Sequence, residues 1–256
     1  MKLTKRNYFS KKANLEYLSV SQFKAFEKCE AAALAEIKGK YKREETTALL
    51  VGSYVDAYFE GTLANFIKKH PEIFKKDGTL KAEYVQAEAI IQRILKDRLF
   101  MDYLSGEKQV IMSGSICGVP VKIKIDSLHE DKIVDLKVIK DFDTVYIAEK
   151  GSQPFFEAWG YDLQGAVYQE IVRQNTGKIL PFYIAAATKE KVTDLDIIHI
   201  KQPMLDSALE YFKQHAGRYD AIKKDIVPAY RCEKCEYCKL SKVLTEPTES
   251  DEYYLY

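Results

Sequence analysis

Hydrophobic positions along the chain change period twice, and the elements follow from those changes. Between residues 18 and 38, Phe23, Phe26, Leu34 and Ile37 share one helical stripe. Ser19 and Gln22 have the spacing of a capping box, and Leu18 can staple onto Phe23, so a helix is predicted over 18–38. A second helix is expected over about 46–60, "TTALLVGSYVDAYFE". Residues 62–104 read as helical, interrupted at "HPEIFKKDGT" by Pro71 and Gly78. From residue 108 the period falls to two. "KQVIMSGSIC", "VPVKIKIDSL" and "DKIVDLKVI" are short, rich in β-branched residues and joined by tight turns, which predicts an antiparallel meander. A long helix is expected over about 154–175, opening at Pro154. Strands in "ILPFYIAAAT" and "TDLDIIHI" and a last helix near 203–224 complete the pattern. There is no internal repeat, low-complexity run or Pro/Gly/Ser linker, so the chain reads as one α/β domain over residues 1–256.

Composition narrows the function classes. The 256 residues allow a sizeable core. A net charge of +1 excludes whole-surface attraction to polyanions, so a nucleic-acid site has to be a local patch. The longest apolar run, "ILPFYIAAA", falls well short of the ~18 residues a membrane span needs. "MKLTKRNYFSKKANLEY" is basic with no apolar stretch behind it and is not a signal peptide, so a reducing cytoplasm is the expected location. Five cysteines in that setting point to metal or redox chemistry rather than disulfides.

The meander carries charges of unusual placement. In 121–126, Val121, Ile123 and Ile125 point one way and Lys122, Lys124 and Asp126 the other. In 132–138, Asp135 and Lys137 share the face opposite Val134, Leu136 and Val138. With Glu130-Asp131 at the turn centre, Asp126 falls opposite Asp135, where like charges repel unless a cation lies between them. Lys137 or a hard divalent ion such as Mg²⁺ could be that cation. The bland alternative is a solvent-facing side of a half-exposed hairpin, on which charges alternate freely. Asp56 tips the balance, because it lies on the core-facing stripe of its helix, seven residues after Leu49 and four after Gly52. Gln164 and Tyr168, four apart, share one face of the later helix, and Glu157 would fall on that face too.

"RCEKCEYCK" sets Cys232, Cys235 and Cys238 as Cys-x-x-Cys-x-x-Cys, three thiols that call for a fourth ligand. Cys117 reads as a core strand residue, and Cys29 is the better fourth ligand, although core burial would also explain it. Zinc is one candidate for such a set.

An acid on one strand, Asp-x-Lys on the next, Gly-x-x-x-Asp on an earlier helix and Gln-x-x-x-Tyr afterwards resemble the PD-(D/E)XK nuclease superfamily. Within it the order resembles the RecB-like branch with its Gln-x-x-x-Tyr motif, and most of all the RecE-like exodeoxyribonuclease VIII group of phage type. That resemblance implies a restriction-endonuclease-like core, a central mixed β-sheet flanked by helices. It implies a metal-dependent DNA exonuclease of recombination and repair, with Mg²⁺ or Mn²⁺ held by Asp126 and Asp135 and with Lys137 positioning the attacking water. Gln164 and Tyr168 would bind the DNA strand or orient the site, and Asp56, where the branch usually has His, would be a further metal ligand. Some relatives carry an iron–sulfur cluster on one early and three late cysteines. This implies a [4Fe–4S] cluster on Cys29, Cys232, Cys235 and Cys238, with zinc as the alternative. The resemblance further implies DNA, a single-strand-annealing protein and a homo-oligomer as partners. The competing class is a non-catalytic nucleic-acid-binding module organised around the cysteine-bound metal.

Overall fold

The computed structural model describes residues 1–148, 150–247 and 250. Helices α1 (Lys11–Glu16), α2 (Val20–Lys28) and α3 (Glu30–Ile37) open the chain. They are followed by α4 (Thr47–Phe59), α5 (Leu63–Lys69), α6 (Ala82–Leu95) and α7 (Arg98–Tyr103). Strands β1 (Glu107–Ile116), β2 (Val119–Leu128) and β3 (Ile133–Ile139) form the expected antiparallel meander. A small hairpin of β4 (Val145–Ile147) and β5 (Gly151–Gln153), absent from the sequence reading, leads into α8 (Phe155–Ala158) and α9 (Tyr161–Thr176). Strands β6 (Phe182–Thr188) and β7 (Leu195–Ile200), α10 (Gln202–Lys223) and α11 (Glu236–Leu240) finish the described chain.

The central sheet runs β1-β2-β3-β6-β7 and is mixed, because β6 lies parallel to β3 across the α9 crossover. Helices cover both faces. One core joins Ile123, Ile125, Ile133 and Ile184 of the sheet to Phe23, Val167 and Phe212 of α2, α9 and α10. The other joins Val134, Leu136, Ala185 and Ala187 to Val55, Ile91 and Phe100 of α4, α6 and α7. No helix among the described residues is long and apolar enough to cross a membrane.

Two long helices of the sequence reading are divided. The predicted 18–38 helix keeps its Ser19–Gln22 capping box but breaks at Cys29, which is extended (φ −166°, ψ 112°) and starts α3. The predicted 154–175 helix breaks at Gly160, whose left-handed φ of 60° suits glycine. Glu157 therefore sits on α8, and its supposed shared face with Gln164 does not exist. Cys117 is likewise not core. It is exposed, with φ 48°, and with Gly118 at φ 78° makes the two-residue β1–β2 turn.

Candidate active site and cysteine cluster

The β2–β3 turn sets the expected register, with His129 N donating to Lys132 O and Ser127 opposite Val134. The ladder then stops. β3 continues beside β6 through Ile139, and β2 continues beside β1, so the two strands part just where Asp126 and Asp135 would have paired. Asp126 fills the opening, and its Oδ2 accepts from the Leu136 N–H at 3.2 Å. The Tyr168 hydroxyl donates to Lys124 O at 2.9 Å from the α9 side.

Asp135, almost fully buried, points toward α9 and accepts from Gln164 Nε2 at 2.5 Å. Lys137 forms an ion pair with Asp135, and its Nζ lies 5.0 Å from the centroid of the Tyr161 ring. Helix α9 comes this close because Gly165 faces Phe182, where a Cβ would meet the ring at 2.4 Å. Asp56 enters from α4, with Oδ1 buried and without a hydrogen bond. No packing requirement explains Gly52, whose Cβ position meets nothing within 4 Å.

Electrostatics show how tightly these groups interact. Burial raises Asp56 to about 7; Lys137 pulls it down and Asp135 pushes it up. Burial and then the neighbouring Asp135 hold Asp126 well above the usual carboxylate range. Burial alone would lower Lys137, but Asp135 and Asp126 outweigh it and keep the ammonium charged. Three acids crowd around Lys137. An all-oxygen donor set with a surplus of buried negative charge suits a hard divalent ion, and the orphaned Asp56 Oδ1 is the sign of an unmet partner.

The site borders a cleft of about 820 Å³ lined by Phe9, Asp56, Glu60, Lys69, Gln109 and Lys124. Lys124 Nζ pairs with Glu60 at 3.6 Å and lies 5.3 Å from the Phe9 ring centroid. Glu60 and Gln109 escaped the sequence reading. Glu60, the C-cap of α4 one turn beyond Asp56, could have been found by helical spacing. Nothing in the period of β1 marks Gln109.

The cysteines form a separate group. Cys29, Cys232, Cys235 and Cys238 place their Sγ atoms within 4.8 Å of one another, with Cys29 and Cys238 at 3.6 Å. The break at Cys29 starts α3, whose buried Glu30 takes both Arg218 Nε at 2.6 Å and the Tyr230 N–H at 2.7 Å. Ala31 N donates to Tyr230 O at 3.0 Å, so the late segment is stitched to α3 beside the sulfurs. The backbone N–H groups of Lys234 and Cys235 draw the Cys232 thiol down to about 6, despite some opposing burial. Burial pushes Cys238 up to about 12. Four thiols of this spacing could hold a metal ion.

Comparison with known proteins fits this architecture. The family described as PDDEXK-like domain of unknown function (DUF3799) matches residues 19–241. A crystal structure of a Eubacterium rectale protein named "Putative exonuclease" superposes with a TM-score of 0.95 and 47% identity, covering 99% of this chain and 98% of that one. A second solved structure aligns at a TM-score of only 0.31 and 12% identity, covering 88% of this chain and 96% of that one. No curated protein matches the chain. With the family matched over most of its length, and with a five-stranded mixed sheet flanked by helices, this chain belongs to the PDDEXK-like domain family.

Proposed function

We propose that the chain is a divalent-metal-dependent nuclease that hydrolyses phosphodiester bonds at DNA ends. The observation that carries this reading is the convergence of Asp56, Asp126 and Asp135 on Lys137 beside a cleft of about 820 Å³. The Eubacterium rectale neighbour's name supports the same class of activity.

In this reading Asp126 and Asp135 hold Mg²⁺ or Mn²⁺, with Asp56 as a further carboxylate. Such an ion, when bound, lowers the pKa of a coordinated water and stabilises charge on the phosphate. Lys137, kept charged by its acid neighbours, orients the attacking water or offsets the phosphate charge. Gln164 fixes Asp135, and Tyr168 braces β2 where its ladder has opened. Phe9, 69% exposed on the cleft wall, is placed to stack on a base, while Lys69 and Lys124 can meet phosphates. Both cores share one sheet, which supports reading residues 1–256 as a single nuclease domain. The cysteine group would tie its ends structurally, as a [4Fe–4S] cluster in preference to zinc. Within phage-type recombination, the enzyme would act as a homo-oligomer with a single-strand-annealing partner, as its RecE-like resemblance implies.

The test uses linear duplex DNA labelled at the 5′ or the 3′ end, alongside closed circular DNA. Mononucleotides released from the linear substrate only with Mg²⁺ are the expected result. Equal cutting of circular DNA would retain the nuclease and overturn the preference for ends. Tight DNA binding without cleavage at any Mg²⁺ or Mn²⁺ concentration would leave a binding module.

A further inference from the structure

Gln109 occupies a place that strand geometry alone does not explain. It lies inside β1 with φ 58°, a left-handed conformation that a non-glycine residue adopts at a cost, and it is only 7% exposed. The β1–β2 ladder pairs Lys108 with Ser127 and Val110 with Ile125, but skips the position between them, where Gln109 faces Asp126. Side-chain alternation reverses at the same point. Ile125 packs in the core beneath α9, whereas the Ser127 hydroxyl, two residues on, donates to Tyr103 O at the end of α7 on the other face. The kink thus serves Asp126.

Gln109 Nε2 donates to Asp126 Oδ1 at 3.2 Å, and the Leu136 N–H holds Oδ2 at 3.2 Å, so the carboxylate is gripped at both oxygens. This amide orientation follows from charge, since the flipped one would set two acceptor oxygens face to face. Gln109 Oε1 is then left buried without a partner, like Asp56 Oδ1. Both residues line one small cavity of about 10 Å³, together with Glu60, Asp126, Leu136 and Lys108, whose ammonium is turned to Leu104 O. That volume is on the order of a single water or ion. Hard divalent cations accept amide carbonyl oxygens alongside carboxylates.

We infer that Gln109 completes the cation site, holding Asp126 through Nε2 and presenting Oε1 to the bound ion or to its water. The inference rests on the metal-dependent reading proposed above. A strained, buried amide with one engaged and one orphaned end is explained by a ligand, whereas a mere strand residue would be relieved by relaxing the backbone.

The experiment titrates Mn²⁺ alone into the purified chain by calorimetry, with thermal unfolding recorded for each variant. Gln109→Gly removes the amide yet adopts the same positive φ freely, so it should fold with an unfolding temperature equal to or above the parent's. It should lose roughly 10- to 100-fold in Mn²⁺ affinity, the loss typical of removing an outer partner of a metal site. Gln109→Asn, also at ease in the left-handed region, should fold and recover at most part of that affinity, since its amide is one methylene shorter. It carries the comparison should the glycine variant unfold. A folded Gln109→Gly that binds Mn²⁺ as tightly as the parent overturns the inference, provided that Asp135→Asn and Asp126→Asn lose binding. If those two also bind like the parent, the metal-site reading itself has failed, which is a separate outcome.

Discussion

Gln164 Nε2 donates to Asp135 Oδ1 at 2.5 Å, fastening α9 to the acid that also pairs with Lys137. Gln164 donates to Oδ1 while Lys137 pairs with Oδ2, so one side chain grips each carboxylate oxygen. Asp135→Asn keeps the volume, removes the charge and turns one acceptor into a donor facing Gln164. Cleavage should fall by more than ~100-fold, while circular dichroism and gel filtration remain those of the parent. Cleavage at the parental rate by a folded Asp135→Asn would remove this residue from the catalytic set.

Tyr168→Phe should cost stability as well as activity. The resemblance makes Tyr168 a residue that binds the DNA strand or orients the site, and in the structure its hydroxyl is the partner of a strand carbonyl released by the β2–β3 splay. Removing it leaves Lys124 O short of a hydrogen bond in a buried setting, a loss of about 1–3 kcal/mol. Urea unfolding measures this directly. A Tyr168→Phe midpoint equal to the parent's would mean that water replaces the hydroxyl.

Gly165→Ala tests how closely α9 must approach the sheet. Alanine is the better helix former by ~1 kcal/mol, so on an open surface the change would stabilise. Here the new methyl would meet the fully buried Phe182 ring at 2.4 Å, and overpacking of this kind costs about 1–3 kcal/mol. A net loss of stability is expected in thermal unfolding, and a rise would show that the ring has room to move.

The cysteine group makes a compositional prediction. Protein purified without oxygen should carry metal, brown if iron–sulfur and colourless with one equivalent of zinc otherwise. Cys29→Ser should release it, because the Sγ of Cys29 is 3.6 Å from that of Cys238. Cys117→Ser should leave it in place, since Cys117 lies in the exposed β1–β2 turn. Metal content by plasma emission decides, and retention of full metal by Cys29→Ser would show that three cysteines suffice.

Lys223 gives the protein an alkaline stability rise. Burial lowers its pKa to about 7, with Asp220 opposing and Lys122 adding to the fall, while its Nζ donates to Tyr17 O at 2.7 Å. Between about pH 7 and the ordinary lysine value of about 10.4, the unfolded chain holds this proton and the folded chain does not. Stability therefore rises with pH across that window and is flat with respect to this group below it. Lys223→Met should flatten the curve of unfolding temperature against pH from 7 to 9.5. An unchanged slope would assign the rise to other groups, Lys122 first among them.

Much of this architecture is legible in one sequence because it is locally encoded. Hydrophobic period marks the helices and the meander, the Ser19–Gln22 spacing marks a cap, and the turn at 130–131 sets the 127-to-134 register before any tertiary contact forms. The cysteine spacing is local too, whereas Cys29 is preferred in the sequence because Cys117 reads as a core strand residue, and the structure instead puts Cys117 in an exposed turn. What tertiary structure alone decided is where those local patterns stop. Strand β3 takes β6 as its full-length partner while β2 keeps β1, and the opening between them turns Asp126 from a ladder residue into a group that reaches the site. The break at Cys29, the left-handed Gln109 and the contact of Gly165 with Phe182 are likewise set by what each segment packs against. Period and turn chemistry act over a few residues, whereas competition among strands for partners and the burial of charge are settled only when distant segments meet.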